Sequence, residues 1–195
     1  MSLKLPNSPK IVCIIPARGK SKRLPGKNLY PLLGKPLLQW ALEGCLESTY
    51  LDYSNIYVSS EDSEILKTAT NFGVNIINRP TELSADKVWT QEVLIHASDY
   101  LQAIGINYDL MVRVQANSPQ VKGNKIDECI EKLIKYKLWE IFTVNEIGIE
   151  DAAIHVLIRQ CVYQKALSVY KGIVSTNYID IHTLDDIDKI KTLWE

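Results

Sequence analysis

Ile11 to Asn28 reads IVCIIPARGKSKRLPGKN, and this stretch decides the fold. It opens as a short apolar run, Ile11 to Ile15, of the kind that forms a buried parallel strand. It continues as a loop carrying Arg18, Lys20, Lys22, Arg23 and Lys27, with Gly19 and Gly26 where the backbone turns. No Asp or Glu occurs between Ile11 and Leu42. A strand that feeds directly into a loop of one charge sign is suited to a small polyanion. At about 4 Å, each opposite-charge contact is worth roughly 4 kcal/mol at an effective dielectric near 20. Solvated lysines in a Gly/Pro loop are the competing explanation. Ser21 and Asn28, neutral donors suited to phosphate or ribose oxygens, favour binding. Gly19-Lys20-Ser21 imitates the end of a Walker loop, but Ile14 stands where that motif needs glycine and Pro25 interrupts the helix that should follow.

The 195 residues fit one domain with a sizeable core. A net charge of −1 speaks against a general nucleic-acid or membrane surface, so the basic loop is a local feature. Residues 1–9 read as a flexible leader without the apolar core of a signal peptide, and residues 10–195 as the domain. The four cysteines, Cys13, Cys45, Cys129 and Cys161, are widely spaced. They read as reduced packing residues of a cytoplasmic protein rather than a zinc site.

The rest of the chain alternates strand and helix. Helical spacing of Leu37, Leu38, Ala41, Leu42 and Cys45 predicts a helix over 36–46, with Trp40 as packing. Strands are predicted at 55–59, 74–77, 108–114 and 140–144, and further helices at 60–73, 90–104 and 124–137. The helix over 90–104 is expected to turn Tyr100 and Ile104 inward. The pattern predicts an α/β fold with a mostly parallel sheet. Residues 145–177 do not resolve by periodicity. Tyr178 to His182 reads as a strand, which would point Asp180 and His182 to one side as candidate metal ligands. Thr183 and Asp186 read as a capping box that starts a last helix, with Leu184, Ile187, Ile190 and Trp194 as its buried stripe.

Pro16 to Asn28, Pro-Ala-Arg-Gly-x-Ser-Lys-Arg-Leu-Pro-Gly-Lys-Asn, resembles the signature of the acylneuraminate cytidylyltransferase family, the CMP-sialic acid synthetases and their relatives. Lys20 stands where that family usually has a second glycine. Arg79-Pro80-x-Glu82-Leu83-x-x-Asp86 and Gln115-x-Asn117-Ser118-Pro119 resemble two further family segments. Asp180-x-His182-Thr183-x-x-Asp186 resembles an Asp-x-Asp-Thr-x-x-Asp element, with His182 in place of the second carboxylate. The resemblance implies a Rossmann-like three-layer α/β/α fold of the nucleotide-diphospho-sugar transferase type. It implies an enzyme that joins CTP to a 2-keto-3-deoxy sugar acid, with magnesium as cofactor and a homodimer as assembly. By the same resemblance Ala17, Arg18, Gly19, Ser21, Lys22, Lys27, Asn28, Arg79, Ser84 and Asp86 would bind the nucleotide. Gln115, Asn117 and Ser118 would face the sugar, and Arg18, Lys22 and Asp180 would carry catalysis. Asp180 would hold magnesium. His182 is a second candidate ligand, although imidazole suits zinc, copper or iron better.

Each element also has a plainer explanation. Arg79 and Asp86 would form a loop ion pair worth little, and Gln115 to Pro119 would be a plain turn. The region around 145–177, where the family carries a dimerisation arm, is short. A non-catalytic nucleotide-binding homologue, or a transferase with another nucleotide or acceptor, are the other functions this pattern would serve.

Overall fold

The computed structural model describes residues 5–6 and 8–194. Of the leader expected over residues 1–9, residues 1–4 and 7 lie outside the described residues, and Leu5 packs against the main core. The apolar run becomes β1 (Ile11–Pro16), nearly all of it buried. A small hairpin, β2 (Pro31–Leu32) and β3 (Lys35–Pro36), follows the basic loop and leads into α1 (Leu37–Leu46). Then come β4 (Ile56–Ser60), α2 (Ser63–Phe72), β5 (Asn75–Asn78), α3 (Thr90–Ala103), β6 (Leu110–Val114), α4 (Gly123–Tyr136) and β7 (Glu140–Val144). Periodicity placed each of these to within a few residues. Asp62 caps α2, accepting from the backbone N–H groups of Glu64 and Ile65, and Gly73 ends it in the left-handed region.

The unreadable stretch resolves into β8 (Glu150–Ile158), α5 (Arg159–Val162) and β9 (Lys171–Ser175), and α6 (Leu184–Trp194) closes the chain. The seven-stranded sheet runs β5-β4-β1-β6-β8-β7-β9. Pairing is parallel except at β8, which lies antiparallel to both β6 and β7. β8 is a hairpin return from β7 that wedges between two parallel strands. Its run of six buried residues at the end hides the alternation that would reveal a strand.

Helices pack on the sheet in two groups, α1 with α4 and α3 with α5. The approach of α1 to α4 is made by backbone. A Cβ on Gly44 would meet the Val121 carbonyl oxygen at 2.2 Å, and one on Gly123 would meet the Glu47 carbonyl carbon at 2.1 Å. Those two glycines fix how the turn after β6 leaves the sheet, and that turn forms one wall of the site.

Some expectations need correction and others hold. Tyr178 to His182 is not a strand but a coil docked on the turn after β6, where the Ile181 N–H donates to the Asn117 carbonyl at 3.0 Å. Tyr100, Ile104 and Leu184, expected inward, are exposed because they lie at the edge or end of their helices' apolar stripes. Trp40 packs as expected, with its ring centroid 4.8 Å from that of Trp194 and its indole N–H donating to the Leu32 carbonyl. The capping box at Thr183 and Asp186 forms, the Asp186 carboxylate accepting from the Thr183 N–H and hydroxyl at 2.9 Å.

Candidate active site

Past the carboxyl ends of β1 and β6 lies a cavity of about 280 Å³. Open α/β sheets bind ligands at such a place. Of the residues singled out from sequence, Arg18, Lys27, Asn28, Arg79, Ser84, Asp86, Gln115, Asn117, Asp180 and His182 line it. Gly19, Ser21 and Lys22 line a second hollow of about 420 Å³. Residues 84–86 line both. Ala17 and Ser118 are fully buried and line neither.

One wall is built from the loops after β1, β4 and β5. Asp86 takes the Arg18 guanidinium at 2.9 Å and the Lys22 ammonium at 2.5 Å on its two oxygens. Hydrogen bonding from Lys22, with Arg18 beside it, holds the Asp86 carboxyl below its ordinary range. Deeper in, Glu61 joins three groups. It accepts from the Gly19 N–H at 2.9 Å, the Ser84 hydroxyl at 2.5 Å and the Arg79 guanidinium at 3.1 Å. Burial works against its charge, but the Ser84 hydroxyl, backbone N–H groups and Arg79 outweigh burial and keep its pKa below the ordinary value. Arg79 therefore pairs with Glu61 and not with Asp86, as the sequence suggested, because the Asp86 side chain is turned outward to Arg18 and Lys22. Asn28 donates to the Arg18 carbonyl at 2.9 Å. Its amide braces the loop while the residue also lines the cavity. Burial lowers the pKa of Lys27, with Asp180 pulling the other way.

The opposite wall is the docked coil. Asn117 donates its amide to Asp180 and, at 2.8 Å, to the Ile181 carbonyl. The Ser118 hydroxyl reaches the same Asp180 oxygen at 3.2 Å. These two residues, expected at the sugar, orient Asp180; Asn117 also lines the cavity, whereas Ser118 is sealed behind the carboxylate. The other Asp180 oxygen lies 2.9 Å from His182 Nε2. Arg23 lies 2.8 Å from His182 Nδ1. Guanidinium only donates, so Nδ1 accepts and the ring is the neutral tautomer with its proton on Nε2, donated to Asp180. Burial lowers the His182 pKa in agreement with that assignment, and burial raises that of Asp180 although His182 and Lys27 oppose it. Both ring nitrogens are engaged, so His182 does not fit the role of metal ligand. Among the described residues no group of three or more His, Cys, Asp or Glu side chains is gathered to hold a metal.

Two charged residues escaped the sequence analysis. Glu61 follows β4 and was absorbed into the expected start of a helix. Arg113 is the one charge inside the apolar β6 run, and that was its signal. It is buried, donates to the Ala152 carbonyl, lies 3.7 Å from Glu150 and leaves its Nε unpartnered.

The profile of the cytidylyltransferase family matches residues 12–153. The chain belongs to the cytidylyltransferase family. A pseudaminic acid cytidylyltransferase from Campylobacter jejuni is 35% identical over 138 residues, 70% of this chain and 59% of that protein. An N-acylneuraminate cytidylyltransferase from Streptococcus agalactiae is 30% identical over 71% of this chain and 32% of its own. The chain thus spans at most about three-fifths of the length of these cytidylyltransferases. CMP:2-keto-3-deoxy-manno-octonic acid synthetase, solved in complex with CTP, superposes with a TM-score of 0.72 over 95% of this chain and 98% of that one, at 16% identity. A Mycobacterium tuberculosis protein solved with manganese gives 0.65 over 93% and 97%, at 12% identity. These likenesses show the Rossmann-like nucleotidyltransferase fold. Asp180 and His182 lie beyond the stretch that the family profile matches, and it is the fold that brings them to the cavity.

Proposed function

We propose that the protein transfers the CMP part of CTP to a 2-keto-3-deoxy sugar acid of the sialic acid type and releases pyrophosphate. The observation that carries this reading is the convergence of Arg18, Lys27 and Arg79 on one cavity with the Asp180 carboxylate across from them. The names of the related cytidylyltransferases support the nucleotide and the acceptor class.

In the reaction the anomeric hydroxyl forms a bond to the α-phosphorus as the bond to the pyrophosphate oxygen breaks. Arg18 and Lys22 carry the charge that builds on the leaving group. Gly19, Ser21, Lys27, Asn28, Arg79 and Ser84 hold or brace the triphosphate and ribose, and Gln115 faces the acceptor. Catalysis is positioning and charge stabilisation. Magnesium takes one or two carboxylates together with waters and substrate phosphates. Asp180 fits that mode: it lines the cavity, is fixed by Asn117 and Ser118, and among the described residues is in direct contact with no Lys or Arg. An ion held there by Asp180 would supply charge neutralisation at the phosphate oxygens.

We place the enzyme in the cytoplasm, as a homodimer that binds neither nucleic acid nor membrane. All four cysteines are free and buried, and among the described residues no helix is long and apolar enough to cross a membrane. Calorimetric titration with CTP, UTP, ATP and GTP, with and without magnesium, tests the function. CTP should bind selectively and more tightly with magnesium, and sugar acids should then release pyrophosphate. Equal binding of all four nucleotides would remove the cytidylyl reading. Selective CTP binding with no turnover on any sugar acid would leave a nucleotide-binding homologue.

A further inference from the structure

We propose that Asp86 is a specificity-determining residue of the phosphate site, an internal carboxylate that competes with phosphate for Arg18 and Lys22. The inference rests on the phosphate-binding reading of the loop from Arg18 to Lys27. Asp86 spans the two cations with separate oxygens, at 2.9 and 2.5 Å, as two oxygens of a phosphate group would. Any polyphosphate that engages both cations must displace it.

The geometry makes displacement easy. The side chains of Asp86 and Lys22 are 44% and 82% exposed, whereas those of Arg79 and Glu61 nearby are 3% and 10% exposed. Asp86 follows a short 3-10 turn, Thr81–Ser84, and that turn is anchored separately by the Ser84 hydroxyl on Glu61. The carboxylate can therefore leave while the turn stays. Residues 84–86 line both hollows, so Asp86 stands where the two adjoin. The exchange favours ligands with enough negative charge to replace a carboxylate on two cations. Triphosphate and pyrophosphate meet that demand better than a monophosphate, and the returning carboxylate helps to release pyrophosphate.

Inorganic pyrophosphate is the probe, because it carries neither base nor sugar. Its affinity is measured calorimetrically at low salt for the wild type, Asp86→Asn, Asp86→Glu, and Asp86→Asn combined with Lys22→Met. Asp86→Asn should bind pyrophosphate about tenfold more tightly, since a like charge has left the site. Asp86→Glu should stay near the wild type. The gain should shrink when Lys22→Met removes one of the contested cations. Equal or weaker binding by Asp86→Asn, an undiminished gain in the double variant, or no pyrophosphate binding by any form would each overturn the proposal. A wild type that binds CTP no better than UTP would sink the cytidylyl reading and leave this result standing.

Discussion

The two walls of the cavity carry the same kinds of side chain in opposite electrostatic states. On the wall formed by the loops after β1, β4 and β5, the carboxylates Glu61 and Asp86 are held charged by Arg79, Arg18, Lys22 and neighbouring N–H and O–H groups, and their pKa values fall. On the docked coil, Asp180 faces a neutral His182 and is half-buried, and desolvation raises its pKa. The difference teaches that residue type does not set charge state here: partners and burial do. One wall offers cations already paired with carboxylates, of which the exposed Asp86 is the one a phosphate can displace. The other offers a carboxylate that, among the described residues, no Lys or Arg contacts directly, although the charges of Lys27 and Arg113 are felt there.

Several substitutions would sharpen that contrast or break it. Lys22→Ala and Asp180→Asn, one on each wall, should each lower turnover by about 10²–10³. Asp180→Asn alone should also abolish the tightening of CTP by magnesium, and steady-state kinetics with magnesium titration would expose the difference. If both variants kept the same magnesium response, the assignment of the two walls would fail. Arg79→Ala should cost about 3 kcal/mol of stability, since it takes the cation from the largely enclosed Glu61 carboxylate, and urea unfolding measures it. A loss no greater than that of an ordinary surface substitution would mean that Glu61 is not a fixed member of its wall. Removing the cap of the last helix with Thr183→Ala should cost about 1 kcal/mol and loosen the coil that carries Asp180.

The smallest effect is on pH dependence. Burial sets the His182 pKa below its ordinary 6.5. Protons therefore bind the unfolded chain more readily. The stability that the neutral ring contributes is present above that value and is lost as pH falls through the lower folded-state value. His182→Gln should flatten part of the decline in melting temperature between about pH 7 and 5. An unchanged slope would mean that the ring is not held neutral.

Much of this was readable in the chain. The Ile11 to Asn28 stretch announced a buried strand and a cation-rich loop because both follow from local composition. Helical spacing located α1 to α4, and the Thr183 to Asp186 box announced α6. β8 was not readable. Its place between β6 and β7 depends on partners distant in sequence, and burial on both faces erases its alternation. Glu61 was hidden by an adequate local explanation at the start of a helix, and Arg113 by the apolar strand around it.

Asp180 marks the boundary. The sequence offered it beside His182 on one face of a strand. No strand forms, yet the two side chains still meet at 2.9 Å, because Asn117 and Ser118, more than 60 residues away, capture the coil. By itself the sequence determined the strand-loop that gathers cations and the βα alternation that makes the sheet, since both depend on near neighbours along the chain. Tertiary structure alone decided which carboxylates stay charged, which serine faces the cavity and which hides behind it. Those properties depend on burial and on hydrogen-bond partners that only folding assembles.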